Sequence, residues 1–165
     1  MREKRLLRMR LLRYSKIIFA LAIVIILSGL IAIHIAQRPF QKKQAITIDL
    51  VEKYAKFHDI SNFSENDLGT TYYSVAGENK KNIPSFAVVT KNMKHIKIFK
   101  QSDGISEEKA KIIAKSNNNQ KIINAGLVLV NNKPAWLISL KKYNGGYDYV
   151  TINFKNGKKI ESLNV

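Results

Sequence analysis

Cysteine is absent from this 165-residue chain, which excludes disulfides, thiol catalysis and cysteine metal centres. Arginine stops at Arg38, and every cation beyond it is lysine. Arginine is the usual residue for paired hydrogen bonds to phosphates and base edges, so its absence from most of the chain argues against nucleic-acid recognition. Histidine is confined to His34, His58 and His95, with no pair at helical spacing and no HExxH. No metal site and no cofactor are expected on that count. There is no GxGxxG and no P-loop. Ser106 to Lys109 forms a Ser-x-x-Lys, but the KTG partner of penicillin-binding enzymes is missing, and the pattern reads as a helix start. Asp103, Glu107 and Glu108 cluster without EF-hand spacing and fit the same helix start. No catalytic residue is expected.

What the chain does have is one apolar run, Ile17 to Ala36, twenty residues without Asp, Glu, Lys or Arg. About 20 such residues in a helix span the roughly 30 Å core of a bilayer, and a helix satisfies its own backbone hydrogen bonds there. Arg2, Lys4, Arg5, Arg8, Arg10, Arg13 and Lys16 precede the run against a single acid, Glu3; Arg38, Lys42 and Lys43 follow it. Short basic flanks stay in the cytoplasm, so residues 1–16 are expected inside and the domain after the span outside. The run is too long for a signal-peptide core, and His34-Ile35-Ala36 is a poor cleavage site, so an uncleaved single-pass anchor in the cell membrane is expected. Ser28, Ala32 and Ala36 recur every fourth residue, a small-residue stripe of the kind that lets helices approach closely in lipid. The net charge is +16, of which the part beyond Lys16 contributes 21 basic and 11 acidic residues, or +10. A lysine-rich external surface suits solubility near an anionic wall or membrane surface.

Residues 37–46 read as a juxtamembrane linker in which Pro39 interrupts the spanning helix. Residues 47–58 read as a helix with the stripe Ile46, Leu50, Tyr54 and Phe57, and Asp49 with Glu52 resembles a capping box. The period then changes to two. Strands are expected at residues 70–76, 85–90 and 95–99. Ser106 caps a second helix reaching about Ser116, with Ala110, Ile113 and Ala114 inward. Strands follow at residues 122–130, 135–141, 147–154 and 159–163, separated by the turn signals Asn131-Asn132, Gly145-Gly146 and Asn156-Gly157. Trp136 alternates with Ile138 and Leu140 and is expected in the core. Tyr143, Tyr147 and Tyr149 flank the Gly-Gly turn, either as an exposed partner-binding cluster or as cross-strand pairs that stabilise the hairpin.

Each half is thus a helix followed by an antiparallel meander. An offset of 64 places Tyr72 on Trp136, Phe86 on Val150, Val88 on Ile152 and Ile96 on Ile160, while the helices match at about 59, Ala55 on Ala114. The expected fold class is α+β: an N-terminal transmembrane helix, then two repeated helix-plus-antiparallel-sheet units at residues 47–100 and 103–165.

Gly104-Ile105-Ser106 opening a helix, the strand around Pro134-Ala135-Trp136 and the closing Val150–Ile160 segment with Gly157-Lys158 resemble a PepSY-type, cystatin-like domain. The first unit lacks the Gly-Ile-Ser start and has Ile46-Thr47-Ile48-Asp49 there; Asn153 stands where PepSY units commonly carry an acid. A basic tail, one span and two such units together resemble the TseB (YpmB-like) family of Gram-positive bacteria. That resemblance implies a membrane-anchored, extracytoplasmic, non-enzymatic regulator of cell wall elongation, with an elongation-type penicillin-binding transpeptidase as its partner. PepSY resemblance also admits a protease-inhibitor or propeptide-like module, and the lysines admit a wall-polymer-binding one.

Overall fold

The computed structural model describes residues 2–115 and 120–164, with the side chains of residues 14–115, 120–161 and 163. The chain forms two compact units, residues 1–43 and 44–165. Helix α1, Arg2–Ala55, makes up the first unit and enters the second. From Tyr14 to Lys42 its side chains are exposed, and its apolar stretch, with mean hydropathy 2.8, is long enough to cross a membrane as an anchor or a signal sequence.

The expected break at Pro39 does not occur: α1 continues through it. Proline removes one i to i−4 hydrogen bond and crowds one carbonyl, but intact turns on both sides carry the cooperative helix across. The expected capping box fails for the same reason, because Asp49 and Glu52 lie inside an established helix and not at its start. The buried stripe is also turned by one residue. Thr47 and Val51 are buried, whereas Ile46 and Tyr54 are exposed. The helix ends at Ala55, and Lys56 takes a left-handed φ of 55°. The Phe57 amide then donates back to the Val51 carbonyl.

The end of α1 covers a four-stranded antiparallel meander, β1 (His58–Asp67), β2 (Thr71–Glu78), β3 (Pro84–Thr90) and β4 (Ile96–Lys100). Val51 and Phe57 pack with Tyr73, Val75, Ala87 and Val89 on one face of this sheet. Strand β1 has no apolar alternation in its sequence, HDISNFSEND; pairing with β2 makes it a strand. Gln101–Asp103 form one 3₁₀ turn, and α2 (Glu107–Ala114) follows. The rest of its expected length, to Ser116, lies outside the described residues. A second meander closes the chain: β5 (Gln120–Val130), β6 (Lys133–Lys142), β7 (Tyr147–Asn153) and β8 (Lys159–Asn164). Asn131 and Asn132 both have positive φ, as a two-residue hairpin turn requires.

Helix α2 lays Ala110 and Ala114 on the Trp136, Ile138, Val150 and Ile152 face of the second sheet. The helix-covered positions of the two sheets correspond as Tyr73 with Trp136, Val75 with Ile138, Ala87 with Val150 and Val89 with Ile152. The pairing agrees, since Tyr73 faces Val89 and Trp136 faces Ile152 across their ladders. The sequence offset of 64 is therefore one residue too long, and in a strand one residue exchanges the two faces. It superposed the outer face of the first sheet on the inner face of the second.

That outer face is itself buried. Phe86 and Val88 join the cluster of Trp136 and Phe154, with the Phe86 and Trp136 rings edge to face at 5.3 Å. The two halves therefore share a core, and residues 44–165 form one body.

Candidate functional site

The Gly-Ile-Ser start of α2 has a structural account. A Cβ on Gly104 would lie 2.5 Å from the Phe154 ring and carbonyl, so only glycine allows the approach. Ile105 is buried; its amide donates to the Phe154 carbonyl at 2.8 Å and its carbonyl accepts from Trp136 Nε1 at 3.0 Å. The Ser106 hydroxyl accepts from the Lys109 amide at 3.2 Å, an N-cap and not a nucleophile paired with a lysine amine. The first half needs no such motif, because its helix does not start there.

Edge strand β5 lies against the outer face of the first sheet. The Leu127 amide donates to Ser74 Oγ at 3.1 Å, Ser74 Oγ lies 2.6 Å from Ser64 Oγ, and Asn66 Nδ2 donates to Ser64 at 2.9 Å. The Asn124 side chain donates to the Glu65 carbonyl at 2.8 Å and to Asn66 Oδ1 at 3.1 Å. A Cβ on Gly126 would sit 1.9 Å from Ser64 Oγ. This network satisfies an edge that would otherwise be open, and Ser64, Asn66 and Ser74 in it are buried polar groups, which must be paired.

Beside the network an open cleft of about 400 Å³ is lined by Asn62, Ser64, Glu107, Lys111, Ile122 and Asn124. Glu107 is held by Lys111 at 2.5 Å and accepts from Asn62 at 3.3 Å. The lining offers amides, one carboxylate and one ammonium, which is binding chemistry for a polar chain. No nucleophile–base pair occurs among its described residues.

The three tyrosines have different fates. Tyr143 stands on the β6–β7 turn with 91% of its surface exposed. Tyr147 is exposed at the start of β7, opposite Lys141. Tyr149 lies opposite Ser139 and packs on the small cluster of Val128, Ala135 and Leu137. None of the three faces another tyrosine across the ladder, so the hairpin is not held by tyrosine pairs. Leu163, half exposed, faces Tyr149 from β8 and extends the apolar strip beside Tyr147.

Ser28, Ala32 and Ala36 lie exposed on one face of α1, and Ser28 Oγ donates to the Ile25 carbonyl at 2.9 Å. Asp148, unnoticed in the sequence, is buried with its carboxylate 2.7 Å from Lys142 Nζ and 2.6 Å from Gln120 Nε2. It ties β7 to β5 and β6. A second group missed by sequence spacing is His58, Asp59 and Glu78, whose donor atoms lie within 4.8 Å of one another. Residues 58 and 78 are distant in sequence and meet only through the β1–β2 register.

Residues 104–163, which contain α2 and β5–β8, match the PepSY family, described as the peptidase propeptide and YPEB domain. The match begins at Gly104, the glycine that Phe154 requires. In sequence, no curated protein matches the chain. Among solved structures, the YpmB protein from Bacillus subtilis superposes with a TM-score of 0.60 at 22% identity, over 73% of this chain and 96% of that one. A protein from Clostridium difficile 630 covers 72% of this chain and 90% of its own, at 17% identity and a TM-score of 0.41. Residues 104–163 thus resemble a PepSY domain, and the 73% of the chain that superposes shares the fold of the YpmB protein.

Proposed function

We propose that this chain is a single-pass membrane protein with its N-terminus in the cytoplasm, whose extracytoplasmic double module regulates cell wall elongation without catalysis by binding an elongation-type penicillin-binding transpeptidase. The observation that carries the reading is the combination on one chain of an exposed, membrane-length apolar helix and a YpmB-like double-sheet body. The basic flank before Ile17 supports the orientation. The contact surface is the Tyr143 and Tyr147 tip of the β6–β7 hairpin, with Tyr149 anchoring it, and the Ser28, Ala32 and Ala36 face of α1 contacts a partner's spanning helix. The anchor raises the effective concentration of a weak module near a membrane-bound synthase to the order of millimolar.

A photocrosslinker at position 143 in intact membranes is expected to capture a transpeptidase, and capture is expected to fall with Ala32→Leu. Recovery of no cell wall synthesis enzyme in repeated captures would sink the reading. A reporter fused after Val165 is expected to be active only outside the cytoplasm; activity only inside would end it as well.

The peptidase-propeptide description of the matched family favours a second reading, in which the module inhibits a protease. Inhibition of a secreted protease by the full chain, with no transpeptidase captured, would select it.

A further inference from the structure

At the start of the first sheet three side chains converge that a regular strand would keep apart. His58 opens β1 and faces Glu78, the last residue of β2. Asp59 follows His58, and neighbouring residues of a straight strand point to opposite faces. The β1–β2 register, however, shifts between His58 and Asn62, a bulge. Asp59 sits within it at a left-handed φ of 48°, a conformation that aspartate tolerates better than most residues. Bulges of this kind re-aim side chains. Gly77 makes room, since a Cβ there would lie 2.9 Å from the His58 carbonyl oxygen.

The result is one imidazole and two carboxylates, with His58 and Glu78 part exposed and Asp59 open to solvent, and donor atoms within 4.8 Å of one another. His58 Nε2 lies 3.7 Å from Glu78 Oε2 and 4.0 Å from Asp59 Oδ2. Both distances exceed a hydrogen bond, whose usual range ends at about 3.2 Å. They approach the spacing between ligands on a tetrahedral zinc, which is about 3.4 Å for metal–ligand bonds of about 2.1 Å. We propose that His58, Asp59 and Glu78 bind one Zn²⁺, with water in the fourth position. An imidazole among the ligands favours zinc over magnesium and calcium, which prefer oxygen alone. The ion would join the first residue of β1 to the last of β2 and hold the bulge in one geometry.

The test uses the full chain in detergent micelles after chelator treatment, with ZnCl₂ as the probe in calorimetric titration and thermal melts. One Zn²⁺ per chain is expected, with a rise in melting temperature that MgCl₂ at equal concentration does not reproduce. His58→Gln and Glu78→Gln are each expected to weaken zinc binding by about tenfold or more, since losing a direct ligand costs at least as much as losing a group that only holds one in place. Asp59→Asn keeps the tolerated left-handed backbone and reads the same site should His58→Gln fail to fold. No saturable binding at millimolar zinc would overturn the proposal. Equal affinity in the wild type and in the variants would overturn it too, by placing the ion elsewhere.

Discussion

The two halves of the globular unit carry the same order of elements yet build their helices differently. In the first half the covering helix is the end of α1, which arrives already formed and needs no cap. In the second, α2 has eight residues and must be started locally, by Gly104, Ile105 and Ser106. Isolated helices that short are marginal, so α2 depends on its cap and on Ala110 and Ala114 packing beneath it. The sheets differ as well. One face of the first sheet packs under α1 and the other joins the Trp136 cluster, while the second sheet leaves the Tyr147 and Leu163 side of β7 and β8 partly open. A motif can thus mark one half and be missing from the other, whose helix arrives already formed.

The largest test of the shared core is Trp136→Ala. It removes the ring that Phe86, Phe154 and the Ile105 carbonyl all contact, and about 3–5 kcal/mol of stability is expected to be lost. Urea unfolding of the full chain in micelles should still give one transition for residues 44–165, shifted to lower denaturant. Separate transitions for the two halves would break the claim that they form one body.

Gly126→Val is expected to cost about 1–3 kcal/mol, because the side chain enters the space of Ser64 and Asn66 and parts β5 from the first sheet. The same urea midpoint measures it, and a neutral result would show that the polar network is not in close contact. The two helix starts are compared by Ser106→Ala and Asp49→Ala. The first should lose about 1 kcal/mol as a cap. The second should change stability by only a few tenths, because Asp49 is exposed inside a helix where alanine is the better former. Equal losses would restore the expected start near Thr47.

Smallest in stability is Tyr143→Ala, which should stay within about 0.5 kcal/mol of the wild type because the ring is almost fully exposed. If the hairpin is the contact surface, this variant should nonetheless lose transpeptidase crosslinking placed at a neighbouring position such as Asn144. Unchanged capture would move the surface elsewhere.

The long apolar helix was legible in the sequence because twenty apolar residues in succession are a local property, and so were α2 and most strands. The turns at Asn131-Asn132 and Gly157 were legible because positive φ selects the residue type. Strand β1 was not, since its buried positions are Ser64 and Asn66, which bond to Ser74 and to the Asn124 side chain of β5 and do not fill an apolar core. The likeness of the two sheets was visible but its phase was not: both faces of the first sheet carry apolar residues, so sequence could not say which one the helix covers. Pro39 pointed to a break that the helix on either side overrides. Nor could spacing bring His58 to Glu78, because cross-strand neighbours are assigned by register, and register by the way two sheets and a helix pack. Local chemistry in this chain decides which segments are helix, strand and turn; tertiary packing decides which faces meet, and with them the candidate sites.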